Sequence, residues 1–139
     1  MALVHGTSRR DKTWPLAHWI TLGLQLNQLG FALAIPQSND TEAETAAAIA
    51  AAVPNAVVWP RGDVLSLTRS LAACTGVIGV DSGPSHIAVA LGLPHVQMYN
   101  FDTAWRTGPL HEAHQLSVFQ SPHPDLEAVW QAWLKVEQG

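Results

Sequence analysis

One run of residues, Asp81-Ser82-Gly83-Pro84-Ser85-His86, combines side chains and backbone suited to binding a phosphorylated ligand. The apolar residues 77–80 predict a short buried strand before it, and residues 84–91 predict a helix with proline at its first position. A strand that passes directly into a helix points backbone N–H groups and the positive helix end at one place, which suits phosphate. The carboxylate, hydroxyl and imidazole of the run are then available to the other groups of a nucleotide.

A second cluster lies near the N-terminus. Arg9, Arg10 and Lys12 supply three of the seven Lys and Arg residues of a chain whose net charge is −4. Such a cluster indicates either a local anion site or a solvated turn. Thr7, Ser8 and Lys12 offer two hydroxyls and an ammonium, which suit a diphosphate. The alternative is a helix N-cap followed by a flexible lysine.

Acidic residues near the predicted strand ends allow two interpretations each. Glu42 or Glu44 follows the second predicted strand, where folds of this kind place a carboxylate on a ribose hydroxyl. Compensation of a helix dipole explains the same residues. Asp81 is predicted to cap the helix that follows it, to accept from a sugar hydroxyl, or both. Asp40 or Thr41 is predicted to cap the second helix, and Asp63 the third. Gly30 and Gly92 are predicted to end the first and fourth helices.

The positions of these residues depend on a regular alternation of strands and helices. Strands are predicted over residues 2–5, 31–35, 56–59, 76–80, 95–99 and 116–119. Helices are predicted over residues 15–29, 41–52, 63–73, 84–91 and 125–136, with an irregular segment over 100–115. Continuous apolar strands alternating with helices predict a Rossmann-like α/β fold, a parallel sheet with helices on both faces. The loops after the first five strands then share one rim, where ligands bind.

Composition limits the protein classes that remain. The 139 residues are 47% hydrophobic and 13% charged, which predicts one compact domain. No apolar run reaches about 18 residues, so no membrane span is predicted, and no basic segment predicts a signal peptide. The single cysteine, Cys74, is predicted to be a small core residue, and cytoplasmic localisation is expected. The negative net charge argues against nucleic-acid binding.

Several common motifs do not occur. The chain lacks Gly-x-Gly-x-x-Gly after the first strand and has no P-loop, and Ser82 does not lie in Gly-x-Ser-x-Gly. His111, His114 and His123 are not completed by a cysteine or carboxylate pattern, so no metal site is predicted.

Two segments carry a resemblance to a known family. Residues 5–15, His-Gly-Thr-Ser-Arg-Arg-Asp-Lys-Thr-Trp-Pro, and residues 80–86, Val-Asp-Ser-Gly-Pro-Ser-His, resemble the lipopolysaccharide heptosyltransferases of glycosyltransferase family 9. The first segment is most similar to the heptosyltransferase I group. The likeness extends from the first strand to the last helix, but only onto the C-terminal half of the family. It implies the donor domain of a GT-B enzyme that transfers heptose from ADP-heptose to the Kdo sugars of lipopolysaccharide, with inversion.

The resemblance also implies roles for individual residues. Thr7, Ser8 and Lys12 would contact the diphosphate, and Lys12 would act in catalysis by offsetting charge on the departing ADP. Asp81 would contact the heptose, and Glu42 would hold the ribose. The phosphates would lie near Ser82, Gly83 and His86. ADP-heptose is then a substrate, and no tightly bound cofactor or metal is expected. The loop Asn100-Phe101-Asp102 departs from the family's Gly-Pro-Thr, so no contacts are transferred to it.

The family's N-terminal domain supplies the acceptor surface and the general base, and nothing in residues 1–139 matches it. We therefore expect one donor-binding domain that binds ADP weakly and does not transfer heptose alone. The Kdo–lipid A acceptor, and peripheral association with the cytoplasmic face of the inner membrane, belong to the full-length enzyme. An apolar face of the last helix, with Trp130 and Trp133, is expected to be partly exposed and to favour self-association.

Two alternatives remain open. One is half of another GT-B nucleotide-sugar enzyme, such as an epimerase or a different glycosyltransferase. The other is a non-catalytic Rossmann-like binding or interaction module.

Overall fold

The structure is a computed structural model, and it describes residues 1–7, 13–99, 114–120 and 122–138. Its strands are β1 (Ala2–Val4), β2 (Leu33–Ile35), β3 (Ala56–Val58), β4 (Val77–Val80), β5 (His95–Tyr99) and β6 (Gln115–Phe119). Its helices are α1 (Leu16–Gln28), α2 (Asp40–Ala52), α3 (Val64–Ala72), α4 (Gly83–Ala90) and α5 (Leu126–Gln138).

The six strands form one parallel sheet in the order β3-β2-β1-β4-β5-β6. The predicted Rossmann-like α/β fold is confirmed. The chain builds outward from β1 to β3 and then returns to place β4 on the other side of β1. Between β1 and β4 the strand order reverses, and a doubly wound sheet opens a crevice at the carboxyl ends of such a pair.

Alternation along the strands directs side chains to two cores, one on each face of the sheet. On β1, Leu3 joins the larger core with Trp19 of α1 and Trp133 of α5. Ala2 and Val4 point the other way, into a smaller core that includes Leu71 of α3 and Ala88 of α4. Helices α1, α2 and α5 therefore cover one face, and α3 and α4 cover the other.

Helices α1 and α4 each end one residue before the predicted bound, and each is followed by the predicted glycine. Gly30 and Gly92 have φ of +92° and +70°, values that favour glycine. After α1, Gly30 N–H donates to Asn27 and Phe31 N–H donates to Leu26, which is a Schellman motif. Because Phe31 closes this motif and packs its ring edge-to-face on Trp133, 5.8 Å between centroids, β2 begins at Leu33. The predicted start of this strand at residue 31 is wrong.

The helix caps differ in part from the predictions. Asp63 caps α3, since its carboxylate accepts from Ser66 N–H at 2.8 Å, as predicted. The cap of α2 is Asn39, not Asp40 or Thr41, because Asn39 Oδ1 accepts from Glu42 N–H at 2.8 Å. Other bounds shift by one or two residues: β1 and β3 are one residue shorter, β4 starts at 77, and β6 starts at 115.

The last helix buries most of the face that was expected to favour self-association. Val129, Ala132, Trp133 and Val136 of α5 are buried in the larger core, whereas Trp130 is only partly buried against it. Partial exposure therefore holds for Trp130 and not for Trp133, and self-association stays a prediction. The exposed apolar side chains lie elsewhere, notably Val57 of the edge strand β3 and Val64 and Leu65 of α3.

Candidate functional site

The loops after β1 and β4 meet at the reversal of strand order. The register pairs Val4 with Gly79, so the residues that follow each strand lie side by side. Thr7 Oγ1 donates to the carbonyl oxygen of Asp81 at 3.4 Å. The structure thus places Thr7 next to the Asp81 run, as the parallel-sheet prediction requires.

Asp81 and His86 form a pair within the second loop. His86 Nε2 lies 2.8 Å from Asp81 Oδ1, across the first turn of α4. Asp81 is buried, with 6% of its side chain exposed, whereas 44% of the His86 side chain is exposed. His86 thereby orients the carboxylate and still presents part of its ring to a ligand.

The N-cap residue of α4 does not cap the helix with its side chain. That residue is Ser82, not Asp81, and its hydroxyl accepts no hydrogen bond from the first-turn amides. Ser82 Oγ and Ser85 Oγ both donate to the Val80 carbonyl, at 3.2 and 2.6 Å. The two hydroxyls are thus turned away from the helix end, and the helix dipole and the amides of this turn remain available to an anion. The prediction that Asp81 caps this helix is wrong.

Glu42, at the start of α2, closes another side of the site. Its Oε1 accepts from the backbone N–H and the hydroxyl of Ser38, at 2.9 and 3.0 Å, and its Oε2 accepts from Asn39 Nδ2 at 3.2 Å. This arrangement is a form of the capping box. The carboxylate also lies against Gly6, where any Cβ would overlap it. The helix-end role and a ligand role are therefore compatible for Glu42, whereas Glu44 is exposed and away from the cavity.

A cavity of about 560 Å³ joins these groups. Thr7, Glu42, Asp81, Ser82, Gly83 and His86, six of the eight predicted donor-binding residues, line it. This volume lies within the range of small-molecule sites. Ser8 and Lys12, the other two predicted residues, lie outside the described residues, and so does the Asn100-Phe101-Asp102 loop.

The cavity continues toward β3 and α3, where the sequence analysis assigned no ligand contacts. Trp59 and Leu67 provide apolar surface there, and Ser66 and Ser70 provide hydroxyls one helical turn apart. The four-residue spacing of Ser66 and Ser70, shortly after a strand end, could have identified them as lining the site, because residues four apart share one face of a helix. The cavity therefore has a polar end at Asp81 and a more apolar end at Trp59.

Arg61 stands at the mouth of the apolar end. Its Nε donates to Gln37 Oε1 at 2.6 Å, and its Nη2 lies 2.8 Å from Asp40 Oδ1. The pair with Asp40 is exposed on both sides, so it adds little stability. It links the loops after β2 and β3 across the cavity mouth.

The remaining candidate groups lie apart from this cavity. Cys74 is half-buried in the smaller core, and burial raises the pKa of its thiol, which suits a core residue. Among the described residues no three His, Cys, Asp or Glu side chains cluster as a metal site would require; His111 lies outside those residues. No helix in the described ranges is both long and apolar enough to cross a membrane.

Comparison with known proteins identifies the family. Residues 1–130 match the family model of glycosyltransferase family 9 (heptosyltransferase). The chain belongs to this family. Over 99 residues it is 31% identical to lipopolysaccharide heptosyltransferase 1 of Pseudomonas aeruginosa, and the aligned region covers 71% of this chain and 28% of that protein. Over 96 residues it is 33% identical to lipopolysaccharide heptosyltransferase 1 of Escherichia coli K12, and the aligned region covers 69% of this chain and 30% of that protein.

Solved structures of family members have the same fold. The E. coli heptosyltransferase WaaC with ADP superposes with a TM-score of 0.85 at 28% identity, covering 94% of this chain and 42% of that one. The E. coli heptosyltransferase II structure superposes with a TM-score of 0.78 at 24% identity, covering 98% of this chain and 46% of that one. At this identity it supports the fold alone. The chain thus spans less than a third of the curated relatives and less than half of these structures.

Proposed function

We propose that this chain is the donor-binding half of a heptosyltransferase and that its cavity holds ADP-heptose. The observation that carries the proposal is the single cavity shared by Thr7, Glu42 and the Asp81–His86 pair at the reversal of strand order. Similar structures of WaaC were solved with ADP and with ADP-2-deoxy-2-fluoro heptose, which supports the same ligand class here.

The uncapped end of α4 suits the diphosphate, because its amides and dipole favour a negative group. Thr7 stands beside it, and Ser8 and Lys12 follow Thr7 in the sequence. Asp81 is positioned by His86 to accept from sugar hydroxyls, so we assign it to the heptose. Glu42 is assigned to the ribose, and the base is then left for the more apolar end at Trp59.

Catalysis in this proposal divides between two halves of an enzyme. Lys12 would stabilise the charge that grows on the departing ADP, which is a contribution made mainly in the transition state. The general base and the Kdo–lipid A acceptor surface would come from another domain. We therefore predict that the 139-residue chain binds ADP weakly and does not transfer heptose. Turnover of ADP-heptose onto acceptor by this chain alone would contradict the proposal.

Calorimetry with ADP, UDP, GDP and ADP-heptose tests the binding part. ADP and ADP-heptose are expected to bind more tightly than the other nucleotides. A preference for UDP or GDP would favour another nucleotide-sugar enzyme, and no binding at all would favour a non-catalytic module.

The Asp81→Asn variant tests the contact with the sugar separately from the contacts with the nucleotide. Loss of a charged acceptor costs about 1.5–3 kcal/mol, or about tenfold and more in affinity. This loss is expected for ADP-heptose and not for ADP. Asp125→Asn is the control, since the Asp125 carboxylate also stands at the start of a helix, where it accepts from Ala128 N–H at 2.8 Å, but lies outside the cavity lining. Equal losses for both ligands in Asp81→Asn would remove the heptose assignment.

A further inference from the structure

His5, the residue directly after β1, makes a contact that the proposed function does not use. The residue is 6% exposed, and its Nε2 lies 3.0 Å from the carbonyl oxygen of Glu42, 37 residues along the chain. A carbonyl oxygen only accepts, so Nε2 carries the hydrogen and donates. Burial lowers the pKa of His5, which keeps the ring neutral near neutral pH.

The other ring nitrogen argues against a role in packing alone. With Nε2 protonated, Nδ1 of the neutral ring is an acceptor, and it is buried with no partner among the described residues. A buried polar atom without a partner is unfavourable by about 1–3 kcal/mol. Leucine or phenylalanine would fill the space without that cost. What histidine adds here is the hydrogen bond to Glu42.

The residue that receives this bond, Glu42, is also held through its side chain. Ser38 and Asn39 fix the Glu42 carboxylate through three hydrogen bonds. Gly6, next to His5, allows that carboxylate to lie against the β1 loop. His5 fixes the backbone of the same residue to the end of β1. The Glu42 carboxylate is thereby located relative to Thr7, which lines the same cavity.

We propose that His5 is a positioning residue, which holds the Glu42 backbone so that the Glu42 carboxylate accepts from a ribose hydroxyl of a nucleoside diphosphate. This inference rests on the proposed function. Without the His5 bond, the first turn of α2 moves relative to β1, and small displacements weaken a directed hydrogen bond strongly. The rest of the nucleotide site, at the start of α4, does not depend on this contact.

The test compares two ligands that differ only in the ribose. Calorimetry gives the affinity of the chain for ADP and for 2′,3′-dideoxy-ADP. The unaltered chain is expected to prefer ADP about tenfold, the value of one net hydrogen bond to a charged group. Glu42→Ala removes the acceptor and is expected to bring the ratio near one.

His5→Leu is expected to lower the ADP affinity and leave the dideoxy-ADP affinity unchanged, so that the ratio approaches that of Glu42→Ala. His5→Gln places an amide nitrogen near the position of Nε2 and should keep the ratio. If His5→Leu does not fold, His5→Asn replaces it, because its amide nitrogen lies near the position of Nδ1 and does not reach Glu42.

The outcomes separate this inference from the proposed function. Absence of ADP binding by the unaltered chain would overturn both. ADP binding with equal losses for both ligands in His5→Leu or His5→Asn would overturn the positioning role alone, because a merely structural residue affects both ligands. A preference for ADP that survives in Glu42→Ala would overturn it as well.

Discussion

Acidification is expected to destabilise this chain through His95, the first residue of β5. His95 is fully buried, its Nδ1 donates to the Val77 carbonyl at 2.9 Å, and its Nε2 lies 3.1 Å from Gln97 Oε1. Burial lowers its pKa from 6.5 to about 4. The folded chain therefore keeps this ring neutral at a pH where an unfolded chain protonates it.

The sign follows from proton binding. Between pH 6.5 and about 4 the unfolded state binds a proton at His95 that the folded state does not, so stability falls as pH falls. The difference between these two pKa values corresponds to about 3 kcal/mol, of which about 2.5 kcal/mol is lost by about pH 4.5. Below about pH 4 both states are protonated and the effect levels off.

Urea denaturation at about pH 7.5 and about pH 4.5 measures this loss. His95→Asn is the control, because its amide nitrogen replaces the donor at Nδ1 and does not titrate. His5, whose pKa burial also lowers, and the carboxylates contribute alike to both chains. The unaltered chain should lose about 2.5 kcal/mol more than the variant over this interval. Equal losses in the two chains would refute the reasoning.

The neutral ring also requires a particular partner. Since Nδ1 donates to Val77, Nε2 of the neutral ring must accept, whereas the atom that faces it is Gln97 Oε1, which is also an acceptor. The amide nitrogen Nε2 of Gln97 has no partner among the described residues. A half-turn of the Gln97 amide satisfies both groups at once. A protonated ring would instead donate to Gln97 Oε1, a bond that raises the pKa of His95 and offsets part of the effect of burial.

Two further predictions concern the cavity and the core. Ser66→Trp should fill the apolar end of the cavity and lower the ADP affinity measured by calorimetry at least about tenfold. Arg69→Trp, on the same helix but outside the cavity lining, should leave that affinity unchanged. Equal effects of the two substitutions would exclude this cavity as the nucleotide site. Gly76→Ala should reduce the free energy of unfolding, measured by urea denaturation, by about 1–3 kcal/mol, because its Cβ would overlap the ring of Trp133. Gly83→Ala, where a Cβ meets nothing within 4 Å, should not, and a stable Gly76→Ala chain would show that the Trp133 ring gives way.

Local chemistry made some of the site predictable. Asp81, Ser82, Gly83 and His86 stand within one strand-to-helix junction, so their spacing alone predicts that they face a common ligand. Thr7 follows from the parallel sheet, because the first strand must lie beside the fourth once the order reverses between them. The roles of these residues toward ADP-heptose remain predictions.

Contacts between distant residues were not predictable. Nothing around Glu42 and Glu44 chooses between them; the choice comes from Gly6 and His5, which approach only Glu42 after folding. The position of Asp81 in the sequence allows it to cap a helix. In the structure Ser82 is the N-cap residue, and the Asp81 carboxylate pairs with His86 instead. Trp59 and Ser66 become part of the cavity only because α3 packs on the face of the sheet over β1 and β4.

The sequence by itself determined the order of strands and helices, the helix ends at Gly30 and Gly92, and the strand-to-helix junction that contains the Asp81 run. These properties depend on apolar periodicity and backbone freedom within a few residues. Only the tertiary structure decided which carboxylate enters the site, that Trp133 is buried, and that His5 holds Glu42. Those outcomes depend on distances between residues far apart in the chain, which no local pattern encodes.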